Sequence, residues 1–148
     1  MDASTILQTY LDEMGKAVMN EWFEDFVTLI QLPLSILTAS AKITVATRAD
    51  LEDGFYDFVE MIRSRGVTQV QRTVKAATFQ GTDHIVGIYE TRLLADEKLA
   101  LPVFHSKMWI GCHDGAWKAI KIHNTTNETR WPILLTRLSP ELCLPEEL

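Results

Sequence analysis

The sequence predicts an α+β domain, with N-terminal helices packed into the concave face of a strongly curved, mixed but mainly antiparallel sheet. Three observations predict it. Apolar residues recur at helical spacing from Ile6 to Ile30 and again from Leu51 to Ile62. From Val67 the period changes to alternation over four long segments. Those segments are divided by Gly81-Thr82, Asp96-Glu97 and Asp114-Gly115, pairs suited to tight turns.

The elements follow in order. Ile6, Leu7, Tyr10, Leu11, Met14 and Val18 form the apolar stripe of a first helix. Thr5 and Gln8 stand at capping-box spacing, and Gly15 is expected to soften the helix. Asn20 is expected to cap a second, short helix carrying Trp22, Phe23, Phe26, Val27 and Ile30, which Pro33 stops. Two short strands, Leu34–Thr38 and Ile43–Thr47, flank Ala39-Ser40-Ala41. Thr47-Arg48-Ala49-Asp50 caps a third helix with the stripe Leu51, Phe55, Phe58, Val59 and Ile62, and Gly66 fits a left-handed C-terminal position. The long strands are Val67–Gln80, His84–Ala95, Lys98–Cys112 and Ala116–Asn124. One domain is expected over 1–148, with 125–148 an irregular tail holding Pro132, Pro140 and Pro145.

Composition narrows the function classes. The chain has 148 residues, 47% hydrophobic and 23% charged, enough apolar material for a substantial core. A formal net charge of -6 gives no overall footprint for nucleic acid or an anionic membrane. The N-terminal stretch is acidic and lacks the apolar run of a secretory signal. Cys112 and Cys143 form no CxxC pair, so a cytoplasmic, thiol-reduced protein is expected. No His-x-His, Glu-x-x-His or converging cysteines argue for a metal, and no glycine-rich loop follows a strand to cradle a phosphate, so neither metal nor cofactor is expected.

Near the end, Asp114, Gly115, Trp117, Lys118 and His123 lie in the segment DGAWKAIKIHNTT. This resembles the last strand of the nuclear transport factor 2-like superfamily, which often reads Asp-Gly-x-Trp-basic and ends on a histidine. The element order over nearly the whole chain is similar to that superfamily as well. The resemblance implies a cystatin-like α+β cone that commonly dimerises through its sheet. The superfamily spans ketosteroid isomerase, scytalone dehydratase, polyketide cyclases, small subunits of ring-hydroxylating dioxygenases and proteins with no known activity, so the fold constrains function little.

Turn geometry assigns side chains to faces. With two-residue turns, Tyr89 is expected opposite Phe104, Ser106 opposite His123, Met108 opposite Lys121 and Arg72 opposite Thr91. The concave face then carries Arg72, Tyr89, Phe104, Ser106, Met108, Lys121 and His123, and these are the expected ligand-binding residues, with Arg72 toward the mouth. Mostly apolar walls with sparse polar groups suit a small apolar or anionic ligand. The opposite face mixes charges with Val86, Ile88, Trp109, Ile120 and Ile122, and is expected to form a homodimer interface around Trp109.

Two readings of the chemistry follow. One is a noncatalytic small-molecule-binding or assembly domain acting as a homodimer. The other is an isomerase-, dehydratase- or cyclase-like enzyme on a small apolar oxygenated substrate, with His123 and Tyr89 as the candidates for proton transfer. A dioxygenase small-subunit-like partner without its own chemistry is a further alternative. Isomerase chemistry needs a carboxylate base in an apolar pocket, whereas Glu90 is expected on the other face and Asp12, Glu13, Asp57 and Glu60 in solvent.

Overall fold

The structure, a computed structural model, describes residues 1–124. The tail expected over 125–148 and Cys143 lie outside the described residues. Helix α1 spans Ala3–Met19, α2 Phe23–Val27 and α3 Arg48–Ser64; the strands are β1 Ile30–Leu37, β2 Lys42–Val45, β3 Gln69–Phe79, β4 His84–Ala95, β5 Lys98–Leu99, β6 Phe104–His113 and β7 Ala116–Asn124. The sheet runs β2-β1-β7-β6-β4-β3, with β5 paired to β4. Every pairing is antiparallel except β1 with β7, so the curved sheet is mixed but mainly antiparallel, as expected.

Helix boundaries follow local hydrogen-bond chemistry. The N-cap of α1 is Asp2, whose carboxylate accepts from the Thr5 amide at 2.7 Å; the expected Thr5–Gln8 capping box does not form. Asn20 ends α1 rather than opening α2. Glu21 follows at φ 58, the Trp22 amide donates to the Ala17 carbonyl at 2.8 Å, and the Glu21 amide donates to Val18 at 3.2 Å. That is a Schellman closure built without glycine. The same closure ends α3: Gly66 has φ 70, its amide donates to Arg63, and the Val67 amide donates to Ile62, both at 3.0 Å. Thr47 caps α3 as expected, accepting from the Asp50 amide at 3.1 Å.

Pro33 does not stop α2. It lies inside β1 after a cis peptide bond, and Ile30 belongs to β1 rather than to the helix. The β1–β7 pairing is irregular between Ile30 and Ser35, and the β1–β2 ladder begins only at Leu34, so no partner asks for the missing proline N–H.

The core lies between α1, the α2–α3 aromatic cluster and the concave face. Leu7, Leu11, Leu51, Phe55, Ile85, Leu93, Met108 and Ile110 are all buried. Phe55 meets Phe26 and Phe23 with ring centroids 4.8 and 5.4 Å apart. Gly87 lets α1 come close: a Cβ there would stand 2.2 Å from Leu7 Cδ2. Gln8 does work that capping spacing did not reveal. Its side chain donates to the Arg72 carbonyl at 2.6 Å and accepts from the Val74 amide at 2.9 Å, which ties α1 to the exposed edge of β3.

Register decides the faces. Asp114 and Gly115 both have positive φ, at 51 and 81, as a tight hairpin turn requires, and Ile110↔Ala119 follows from it. Between Trp109 and Ile110 the pairing slips, leaving Ile120 as an extra residue on β7. Beyond this bulge Lys121 pairs with Trp109, Ile122 with Met108, His123 with Lys107 and Asn124 with Ser106. One residue of slip moves every later side chain to the other face. Lys121 and His123 therefore lie on the convex face, and Ile122 and Asn124 on the concave one, reversing the expected placement of Lys121, His123 and Ile122.

The other hairpins slip differently. After the Asp96-Glu97 turn, Ala95 pairs with Lys98, but Tyr89 pairs with Ser106 and Thr91 with Phe104. The displacement is two residues, accommodated around Leu101-Pro102, so the partners change while the faces do not. Arg72↔Thr91 stands as expected, and a bulge between Val74 and Ala76 brings Ala77, not Ala76, opposite Gly87.

Candidate functional site

The concave residues form cross-strand rows. One row is Arg72–Thr91–Phe104; the next is Val74–Tyr89–Ser106–Asn124; a third is Gly87–Met108–Ile122, continued by Ile36 on β1. Polar groups thus gather in two neighbouring rows, and the third is apolar. Between these rows and the helices is a cavity of about 110 Å³. Met14, Val18, Phe26, Phe55 and Phe58 wall it from the helical side, and Leu34, Ile36, Met108 and Ile122 from the sheet.

Five expected site residues line this cavity: Arg72, Tyr89, Phe104, Ser106 and Met108. Lys121 and His123 do not. They stand across the sheet, where Lys121 Nζ lies 4.6 Å and Lys107 Nζ 5.1 Å from the Trp109 ring centroid. His123 is held below the ordinary histidine range, first by burial and then by Lys107 and Lys121, so it favours the neutral form. Tyr89 and His123 are separated by the sheet and cannot act on one substrate atom.

Among the lining residues outside the expected set, three stand on β4 and β7 beside the expected ones: Thr91, Ile122 and Asn124. Thr91 is buried opposite Arg72. Asn124 takes the place assigned to His123, its side-chain oxygen accepting from Ser106 Oγ at 2.6 Å. Ile122 enters by the same slip. The signal for that slip was present in β7: strict alternation after Ala119 turned Lys121 toward the helices and Ile122 outward, the wrong way round for burial.

The electrostatics of the cavity are unusual. Arg72 Nη1 and Thr91 Oγ1 are buried without a hydrogen-bond partner. Burial lowers the Arg72 pKa from its ordinary value, while Tyr89 and Tyr10 oppose the shift. Guanidinium is so basic that the group stays charged. Burial also raises the Tyr89 phenol above its ordinary range, with Arg72 and the Ser106 hydrogen bond opposing, so Tyr89 is a neutral hydroxyl. Tyr10, pushed up by burial as well, spends its hydroxyl on the Leu29 carbonyl at 2.6 Å. No aspartate, glutamate or histidine is among the described residues that line the cavity. Glu90 faces away, paired with Lys75 at 3.2 Å and Arg92 at 3.3 Å, and Asp12, Glu13, Asp57 and Glu60 are exposed, all as expected. The site can therefore bind and orient through donors, and none of its described lining residues is a carboxylate or imidazole base.

No family profile matches the chain, and no curated protein matches it. Solved structures do. A nuclear transport factor 2-like protein of unknown function from Shewanella oneidensis superposes with a TM-score of 0.62 at 8% identity, covering 78% of this chain and 93% of that one. A domain of unknown function with a cystatin-like fold from Nostoc punctiforme gives 0.63 at 13% identity, covering 84% and 77%. A nuclear transport factor 2-like protein with a cystatin-like fold from Novosphingobium aromaticivorans gives 0.59 at 11% identity, covering 80% and 77%. Identities this low speak for architecture and not for chemistry. The chain has the nuclear transport factor 2-like fold, an α+β architecture of the cystatin-like kind.

Proposed function

We propose that the chain is a noncatalytic small-molecule-binding domain whose ligand sits between the helices and the concave sheet face. The observation that carries this reading is the cavity itself: apolar on most sides, with Arg72 Nη1 and Thr91 Oγ1 buried and unpartnered at one end. Buried polar groups nearly always have partners, and a ligand is one way to supply them. The enzyme alternative loses its proton-transfer pair, because His123 lies across the sheet from Tyr89.

Methionine-methyl spectra test the reading. In a titration with small fragments, ligands are expected to move the Met14 and Met108 methyl signals and leave the exposed Met1 signal in place. A broad fragment set that moves neither cavity methyl would overturn it.

We also propose self-association as a homodimer through the convex face. Supporting this, Trp109, Ile88 and Ile120 share that side of the sheet and are only partly buried. The slip in β7 makes the face more basic than expected, since Lys121 and His123 join it and Ile122 leaves. Glu90 supplies an opposing charge there.

A further inference from the structure

We infer that the ligand is a short-chain monocarboxylate, its carboxylate held by Arg72 and Thr91 and its apolar body lying against Met108 and Ile122. The inference rests on the small-molecule reading above and specifies it.

Arg72 is the one cation among the described lining residues. Its guanidinium lies under α1, with Nη1 3.7 Å from where a Cβ on Gly15 would stand, and that nitrogen has no hydrogen-bond partner. Its titratable neighbours are phenols, Tyr89 and Tyr10, which are neutral at ordinary pH. No carboxylate among the described residues forms an ion pair with it. Directly across the β3–β4 pair stands Thr91, buried, with its hydroxyl also unpartnered.

A guanidinium offers only donors, and a hydroxyl can add one more. The missing group must therefore accept several hydrogen bonds and carry negative charge, because a buried cation left uncompensated is costly. A planar carboxylate matches the guanidinium fork in a bidentate pairing. A phosphate would ask for more cationic donors than one arginine supplies. The remainder of the ligand must be apolar, since the row beyond Tyr89 and Ser106 is Gly87, Met108 and Ile122. It must also be small. The cavity holds about 110 Å³, whereas an engineered cavity of about 150 Å³ takes benzene.

The test compares butanoate with butanamide and 1-butanol, which have the same chain length and no charge. Binding is followed by the Met14 and Met108 methyl signals. Butanoate is expected to bind about tenfold more tightly than butanamide, as a charge-assisted pairing implies. Arg72→Met should bring the two ligands within about twofold, because the preference comes from the guanidinium. If that variant fails to fold, Thr91→Val keeps the shape of the side chain and should weaken butanoate severalfold while sparing butanol. Equal binding of butanoate and butanamide at the cavity methyls would overturn the carboxylate inference and leave the small-molecule reading standing. Failure of all three ligands to move those methyls at millimolar concentration would count against both. A butanoate preference unchanged in Arg72→Met and Thr91→Val would also overturn the inference.

Discussion

The two faces of the sheet are made from the same strands, yet they do opposite things with charge. The concave face holds the half-buried Arg72, its Nη1 fully buried and no carboxylate among the described residues paired with it, among apolar side chains and neutral hydroxyls. The convex face displays Lys75, Arg92 and Lys121 and holds a buried Lys107, with Glu90 bridging Lys75 and Arg92 and two lysines set against Trp109. A charge on the convex side has solvent and counter-charges to hand, so single changes there are expected to be mild. On the concave side the Arg72 Nη1 is buried with no counter-charge among the described residues, which makes Arg72 a candidate for function rather than for stability. The boundary between these regimes runs through neighbouring residues of β7, because the extra residue Ile120 turns Ile122 inward and leaves His123 outside.

The largest effect should come from crossing that boundary. Ile122→Lys would put a second cation into the cavity near Arg72, and is expected to cost about 3 kcal/mol of stability in denaturant unfolding. The same change one residue later, His123→Lys, should cost no more than about 0.5 kcal/mol, as surface substitutions usually do. Similar losses for the two variants would break the comparison.

Trp109→Glu probes the convex face alone. Placing a carboxylate at the centre of the proposed interface should turn a dimer into a monomer, read by light scattering, while the cavity methyl signals stay in place. A monomeric parent protein would contradict the dimer outright.

The smallest effect is the titration of His123. Its midpoint should fall below that of an unperturbed histidine and rise when Lys121→Gln removes a neighbouring cation. The sign for stability follows. With the folded pKa below the unfolded one, the unfolded chain takes up the proton first. This contribution is therefore complete above the unfolded histidine pKa and is lost as pH falls through the window down to the folded value. A midpoint unchanged in Lys121→Gln would place the two residues apart.

Much of the fold was legible in the sequence because it is written in local chemistry. Thr47 with Asp50, Gly66, and Asp114-Gly115 each satisfy a stereochemical need within a few residues, and each stands where the pattern placed it. β4 and β7 have their expected limits for the same reason: alternation and turns define them. Features that depend on long-range pairing were not legible from turns, and in β7 only the inverted burial of Lys121 and Ile122 pointed to one. The bulge at Ile120 is a matter of which β6 group meets which β7 group, and the turn that begins the hairpin carries no information about a slip four residues away. Asn20 and Glu21 misled because a left-handed C-terminal residue without glycine has no sequence signature. The site was legible to the same degree. Tyr89, Phe104, Ser106 and Met108 are displaced by two residues, which keeps the face; Arg72 keeps its place opposite Thr91 because the bulge between Val74 and Ala76 cancels a one-residue offset nearer the turn; Lys121 and His123 lie past the β7 bulge, which nothing cancels, and so changed face.

The division of β7 between cavity and outer face is the claim on which the cavity's chemistry depends. Nuclear Overhauser contacts from the methyl groups of Ile122 and the ring of His123 measure it directly. Ile122 should show contacts to Met108 and Ile36, and the His123 ring should show contacts to Lys107 and Leu37. Contacts from the His123 ring to the side chains of Ser106 and Tyr89, with Ile122 facing outward, would contradict the account and return the histidine to the cavity.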